Sequence, residues 1–323
     1  MARVLVIGSF NVDHVWRVAS LPAPGATLSG NYASGPGGKG FNQAVAARRA
    51  GADTRFACAL GEDVGAQLAR TLCAADGIDL HAAVVADPTG TAGIYVDAQG
   101  RNCIVIGAGA NAALAPEHVA GALGDAAAAD LVLAQLESPL DAVARALDAA
   151  RAAGATAMLN PAPANVAIDE TMLVRADILT PNETEFAALV GRHVGERIDA
   201  DAVASLDQPR LHALCRELLP HGSVIVTLGA SGCFVSHAES MPRGDSAPCY
   251  RVSAEPAQAI DTTGAGDAFN GALAASLVQH PDRAFVEHVR FASRYAARST
   301  EQAGAALAMP YLSTQEMAGQ GDA

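Results

Sequence analysis

"ADLVLAQLESPLDAVARALDAARAAGATAMLNPAP", residues 129–163, holds one complete structural unit. A short β-rich run, ADLVLAQLES, ends in polar residues. An alanine-rich helical stretch follows it, and a second β-rich run, TAMLNPAP, closes on Asn160 and prolines. The same alternation recurs at "RVLVIG" (3–8), "TRFACALG" (54–61), "ADILTPNETE" (176–185) and "SVIVTLGASG" (223–232). Strands alternating with helices build βαβ units, so the chain is expected to form a mostly parallel sheet covered by helices on both faces. That is a three-layer α/β/α sandwich. In such a fold, ligands bind beyond the carboxyl ends of the strands. The polar residues that end the runs, Asn11, Asp13, Glu137, Asn160, Asn182, Glu185 and Thr227, are expected to gather at one rim.

Two regions break the alternation. Residues 15–35, "VWRVASLPAPGATLSGNYASG", and 90–111, "GTAGIYVDAQGRNCIVIGAGAN", are strand-like runs punctuated by prolines or a turn, with no helix between them. They predict a small antiparallel β-sheet lid over the rim, and lids commonly exclude water from a reaction. The body is then 1–14, 36–89 and 112–312. Residues 313–323 are expected to form a polar, frayed tail. The segment "ESMPRGDSAPCY" (239–250) reads as an exposed loop between two strands.

With 323 residues, 50% of them hydrophobic, the chain can bury a large core as one big domain with a small appendage. Its 21 basic residues are scattered against 34 acidic ones, a net charge of −13 that argues against a nucleic acid partner. The six cysteines form no C-x-x-C pair and the nine histidines no H-x-x-x-H, so neither a zinc cage nor a disulfide framework is suggested. The first apolar run is too short for a signal peptide core, and no segment reaches the roughly 20 apolar residues of a membrane helix. A cytoplasmic protein without a membrane partner is the expectation.

Three glycine-rich segments carry candidate chemistry. In "DTTGAGDAFNG" (261–271) the turn Gly264-Ala265-Gly266 precedes an apolar helical stretch beginning at Ala268. Backbone N–H groups at a helix start attract anions, and small residues let a phosphate approach. A carboxylate there, Asp267, suits a base acting on a hydroxyl that attacks phosphorus. A plain helix cap is the competing reading. "GPGGKGFNQAVAARRAG" (35–51) lacks the spacing of a Walker A loop. Its glycines around Lys39, with Asn42 and Gln43 a helical turn on, suit a small polyhydroxylated ligand or simply a solvated turn. "GAGANA" (107–112) satisfies G-x-G-x-x-[GA] and raises a dinucleotide alternative, but it lies mid-chain after a hairpin and no ribose-binding acid follows. Asn182 and Glu185 of "TPNETE" could hold Mg²⁺ through its water shell or serve as a helix cap.

Taken in order, "GSFNVD", "GGKGFNQAVAA", "QLESP", "NPAPA", "TPNETE", "TLGASG" and "DTTGAGDAFNGAL" resemble the ribokinase-like family of ATP-dependent sugar kinases over nearly the whole chain. The resemblance implies transfer of the γ-phosphoryl group of ATP to the 5-hydroxyl of D-ribose. It places the sugar on Asn11, Asp13, Gly38, Lys39, Gly40, Asn42 and Glu137, with Asp267 as base and the N–H groups of Gly264, Ala265 and Gly266 as anion hole. It places ATP on Asn182, Thr227, Gly229, Gly232, Gly266 and Ser293, with Glu185 near Mg²⁺. A monovalent cation, K⁺, is implied at Asp261, Thr263 and carbonyls near Ser299, Gly304 and Ala308, and a homodimer through the lid. The segment Gln302-Ala303-Gly304-Ala305-Ala306 departs from the family's usual Arg-x-Gly-Ala-Gln, a departure that bears on potassium and the adenine cover. The alternatives are a kinase of deoxyribose, fructose or an adenosine-like nucleoside, and a non-catalytic sensing homologue.

Overall fold

A computed structural model describes residues 3–124, 129–240 and 243–312 of the chain; the expected polar tail lies outside them. The chain begins β1 (Arg3–Ile7), β2 (Asn11–Arg17), β3 (Asn31–Gly37), α1 (Lys39–Arg49), β4 (Asp53–Leu60), α2 (Val64–Asp76), β5 (Asp79–Val84), β6 (Gly90–Val96) and β7 (Asn102–Gly107). It continues α3 (Pro116–Gly124), β8 (Leu131–Ala134), α4 (Leu140–Ala152), β9 (Thr156–Leu159), α5 (Glu170–Leu173), β10 (Ile178–Leu179) and α6 (Glu183–Leu189). It ends α7 (Ala200–Val203), α8 (Gln208–Leu218), β11 (Ser223–Thr227), β12 (Cys233–His237), β13 (Cys249–Val252), α9 (Ala265–Gln279) and α10 (Phe285–Ser299).

Nine strands form the central sheet in the order β13-β12-β11-β10-β9-β8-β1-β4-β5. The pairs from β11 to β5 are parallel, and β12 and β13 extend the edge antiparallel. Side chains alternate across each strand, so β1 supplies both cores at once. Val4 and Val6 pack with α1, α2, α9 and α10 on one face, and Leu5 and Ile7 pack with α3, α4, α6 and α8 on the other. From β1 the chain builds outward to β4 and β5, then returns to β8 on the opposite side. The strand order therefore reverses between β1 and β8, the place where open α/β sheets leave a crevice.

The smaller sheet has the order β3-β2-β6-β7. The expected antiparallel lid is corrected in one respect: its central pair, β2 and β6, is parallel, while the outer pairs are antiparallel. Each half is a hairpin-like excursion, and the two first strands run alongside each other in the same direction. Of the segment 239–250, residues 241 and 242 lie outside the described residues; Glu239, Ser240, Gly244, Ser246 and Pro248 are exposed as expected, but two side chains anchor the rest inward. Arg243 donates to Ser223 Oγ (3.1 Å) and to the carbonyl of Asp177 (3.3 Å), and Asp245 accepts from Val286 N (3.0 Å) and pairs with His237 Nε2 (3.0 Å). The loop crosses the amino end of β11, where those polar groups need partners.

Two close approaches set the geometry of the rim. A Cβ added to Gly271 of α9 would lie 2.5 Å from both Ala46 Cβ and Gln43 O of α1, so only glycine lets these helices pack as they do. At the far end of α1, Arg49 makes a two-pronged pair with Asp76 (3.0 Å on each oxygen) and donates to the carbonyls of Ala306 (3.3 Å) and Met309 (2.9 Å). Both side chains are buried, and the guanidinium lies 4.2 Å over the Tyr311 ring. The segment after α10 is thus clamped back onto the body.

Candidate active site

At the crevice between β1 and β8, Ser9 follows the first strand and Glu137 the second. Ser9 Oγ donates to Glu137 Oε2 (2.6 Å), which also accepts the Lys39 backbone N–H (3.0 Å). Gly38 caps α1, and Phe41 N donates to Ser9 O (2.9 Å), so the start of α1 is tied to the end of β1. Asn11, Gly40 and Asn42 are buried beside it, and Lys39 is half-buried. Asn11 Oδ1 accepts from Asn111 Nδ2 (2.8 Å), while Asn111 also bonds both backbone groups of Phe10 (3.0 Å each). Gly107 of "GAGANA" ends β7, and a short 3₁₀ turn over Gly109–Ala113 carries Asn111 to brace the end of β1; this is the structural use of a motif that also fits a dinucleotide pattern.

Asp13 lies in β2 near Glu137. Burial, reinforced by the Glu137 charge, pushes its carboxyl up to about 6.

Asp267 is 7% exposed and faces inward. The helix that carries it starts at Ala265, not at the expected Ala268, with Gly264 as cap at φ 76°. That places Asp267 in the first turn. Its Oδ2 accepts from Asn42 Nδ2 (2.9 Å) and its Oδ1 from Gln43 Nε2 (2.9 Å), both on the neighbouring α1. Burial raises the carboxyl above its ordinary range, against the opposing pull of Lys39 and the two amide donors. Lys39 in turn would be lowered by burial, but Asp267, Glu137 and Glu185 around it leave it raised. One lysine and three carboxylates thus share one electrostatic neighbourhood. Asn42 Oδ1, buried next to the base, has no hydrogen-bond partner among the described residues.

The loop in front of α9 is held from three sides. Asp261 Oδ1 accepts from the N–H (2.9 Å) and hydroxyl (2.6 Å) of Thr263, and its Oδ2 from Gly304 N (2.9 Å). Burial works against its charge, but these donors hold its carboxyl below the ordinary range. Ala265 N donates to Thr262 O (3.2 Å), and Asn270 Nδ2, fixed through its Oδ1 by the Thr180 hydroxyl (2.6 Å), donates to Gly266 O (2.8 Å). Ser299 and Ala308 are buried nearby in sequence to Gly304, and Ser299 Oγ donates to Ala296 O (2.8 Å).

A cleft of about 330 Å³ opens on the other side of this loop. Thr227, Gly229, Gly232, Ala265, Gly266 and Ser293 line it together with small apolar side chains and Phe269. Asn182 reaches its edge through a β-bridge to Thr227. Asn182 and Glu185 are a capping box: Asn182 Oδ1 accepts Glu185 N (2.9 Å), and Glu185 Oε2 accepts Asn182 N (2.9 Å). Burial raises the Glu185 carboxyl, with the Asn182 bond and Lys39 acting against it.

The structure thus links Asp13, Lys39, Asn42, Glu137 and Asp267 through hydrogen bonds and charge in one neighbourhood, with Asn11, Gly38 and Gly40 beside the end of β1, and lines a separate cleft with Thr227, Gly229, Gly232, Gly266 and Ser293. It also recruits Ser9, Gln135, Asn111 and the clamp of Arg49. Ser9 sits inside "GSFNVD" and Gln135 inside "AQLESP", so position after a strand is the signal that points to them; Arg49 carries no such mark.

A family model, pfkB family carbohydrate kinase, matches residues 1–312. The chain belongs to the PfkB family of carbohydrate kinases. Within that family it is similar to ribokinases, among other members. It is 39% identical over 308 residues to the ribokinase of Haemophilus influenzae, covering 94% of each chain. Its fold matches ribokinase from Giardia lamblia with a TM-score of 0.84 at 30% identity, covering 98% of each chain. It matches Arabidopsis thaliana ribokinase, solved with ribose and ATP, with a TM-score of 0.80 at 28% identity and 99% of each chain covered. Among the described residues no helix is long and apolar enough to cross a membrane.

Proposed function

We propose that this chain is a ribokinase, which transfers the γ-phosphoryl group of ATP to the 5-hydroxyl of D-ribose and releases D-ribose 5-phosphate and ADP. One juxtaposition carries the reading. Asp267 is buried where a helix begins, its carboxylate held by two amides, and the unpartnered Asn42 Oδ1 beside it is an acceptor awaiting a hydroxyl. In this reading Asn11, Asp13, Gly38, Lys39, Gly40, Asn42 and Glu137 hold the sugar. ATP occupies the cleft of Thr227, Gly229, Gly232, Gly266 and Ser293, with Asn182 at its edge. As the 5-oxygen bonds to phosphorus, its proton passes to Asp267 and the bond to the bridging oxygen of ADP breaks. The N–H groups of Gly264, Ala265 and Gly266 take up charge on the transferred group.

Magnesium fits the donor set. Glu185 offers hard oxygen ligands and would hold the ion through water, and the carboxylates crowding Lys39 leave negative charge for a cation to offset. Bound there, Mg²⁺ supplies charge neutralisation on the phosphates. Asp261, held ionised, with Thr263 and the carbonyls of Ser299, Gly304 and Ala308, suits K⁺ behind the anion hole. Residues 15–35 and 90–111 act as the lid over the body. Two copies pair through it, since Tyr32, Ile104, Val105 and Ile106 are exposed there.

A coupled assay over D-ribose, deoxyribose, fructose and adenosine is expected to give the highest kcat/KM with ribose; a nucleoside turned over faster would overturn the assignment. Replacing KCl by choline chloride at constant ionic strength, and sedimentation of the apo protein, test the cation and the dimer in the same preparation.

The Asp13 carboxyl gives a pH dependence with a definite sign. Its ionised form accepts sugar hydroxyls, so KM for ribose is expected to rise as pH falls through about 6. Asp13→Asn should flatten that rise; a KM independent of pH between 5 and 8 in the wild type would remove Asp13 from sugar binding.

A further inference from the structure

Gln43 lies one position beyond the residue that the reading above gives to the sugar, and its amide is locked at both ends. Nε2 donates to Asp267 Oδ1 (2.9 Å) and to Asn160 Oδ1 (3.0 Å), while Oε1 accepts from Gln135 Nε2 (2.5 Å). Asn160 is itself oriented, because its Nδ2 donates to the carbonyl of Thr180 (2.9 Å). A backbone carbonyl only accepts, so the Asn160 amide must turn its oxygen toward Gln43. Gln43 must then turn its NH₂ toward Asn160 and Asp267, and its Oε1 takes the Gln135 NH₂, which leaves Gln135 Oε1 buried without a partner among the described residues. Gln43 and Gln135 are fully buried, and Asn160 is 6% exposed.

We propose that Gln43, oriented by Asn160 and Gln135, is the positioning residue of the base: it fixes the plane of the Asp267 carboxylate and favours its ionised form, so that a lone pair faces the sugar hydroxyl. The chain of amides runs from the ends of β8, β9 and β10 to α9, and no member of it titrates. It therefore holds the base without exchanging protons with it. The charged groups that face Asp267 are Lys39 from α1, Glu137 from the segment after β8 and Glu185 from α6. Lys39 works with Gln43, whereas Glu137 and Glu185 work against both. A donor to a charged acceptor contributes more than a neutral one, so removal of the Gln43 amide has a readable effect.

The inference rests on Asp267 being the base, and the test separates the two. In Gln43→Met the amide is lost at similar length. Its kcat at pH 7 is expected to fall about tenfold and the acid limb of its kcat profile to move up by about one pH unit, with KM for ribose and ATP within about twofold. A side chain that merely filled space would lower activity without moving the limb. Asn160→Leu leaves the Gln43–Asp267 contact but unlocks the amide; it should move the limb the same way by less, and it serves if Gln43→Met does not fold. An unmoved limb in the folded variants, alongside an inactive Asp267→Asn, overturns the role of Gln43 alone. An active Asp267→Asn overturns the reading beneath it.

Discussion

Asp267→Asn is expected to bind ribose and ATP with nearly unchanged affinity while kcat falls by about two to four orders of magnitude, the range a positioned general base contributes. The replacement is close to isosteric, so the cavity keeps its shape. What changes is the donor pattern: Asn42 Nδ2 and Gln43 Nε2 both donate to the carboxylate, one on each oxygen. An amide at position 267 offers only one oxygen, which Gln43 Nε2 takes, and its NH₂ is matched when the Asn42 amide rotates to present the otherwise unpartnered Oδ1. The fold is therefore expected to keep most of its stability, helped by removing a charge that burial disfavours. Isothermal titration of ribose, urea denaturation and single-turnover phosphoryl transfer separate binding, fold and chemistry. Full turnover in this variant would take the base role away from Asp267.

The inner strands of the central sheet were legible because a parallel strand buried on both faces must be apolar and must end in residues that stop it, whereas the half-exposed edge strand β5, with Asp79 and His81, carries no such mark. Leu131–Ala134 and Ser223–Thr227 meet that demand in their sequences alone. The direction of β6 against β2 was not legible, since pairing between two separate excursions depends on how both leave the body rather than on either pattern. The start of α9 was displaced by three residues for a local reason: glycine and alanine carry no apolar periodicity, so the first helical turn is invisible until Ala268. Spacing along "GGKGFNQA" put Asn42 and Gln43 on one helix, but that this helix meets Asp267 depends on the close packing of α1 against α9 at Gly271, which no spacing in either segment announces. Arg243 and Asp245 went unseen as interior residues because their partners, Ser223, Asp177 and His237, are unrelated in sequence.

Substitution at Gly264 should produce the second large effect, and it acts through backbone rather than charge. Gly264 caps α9 at φ 76°, a conformation that a β-branched residue avoids. A Cβ there would lie 2.9 Å from Ala305 Cβ and 3.2 Å from Ala305 Cα. Ala305 cannot retreat easily: Gly304 N is held by Asp261 Oδ2, and the carbonyls of Ala306 and Met309 are held by Arg49, which is itself paired with Asp76. Gly264→Val must therefore displace the start of α9, and with it the amides proposed to stabilise the transferred phosphoryl group. The expected loss in kcat is about 10²–10³-fold, the range for removing one such donor. Gly266→Ala separates fold from phosphate access: a Cβ at 266 meets no protein atom within 4 Å, so the fold is expected to tolerate it, while the residue lines the cleft given to ATP. If Gly264→Val kept wild-type kcat while circular dichroism showed an intact fold, the start of α9 would not be the place where phosphoryl charge is stabilised. If Gly266→Ala lost activity while Gly264→Val did not, the critical feature would be room for the phosphate beside residue 266 rather than the backbone turn before it.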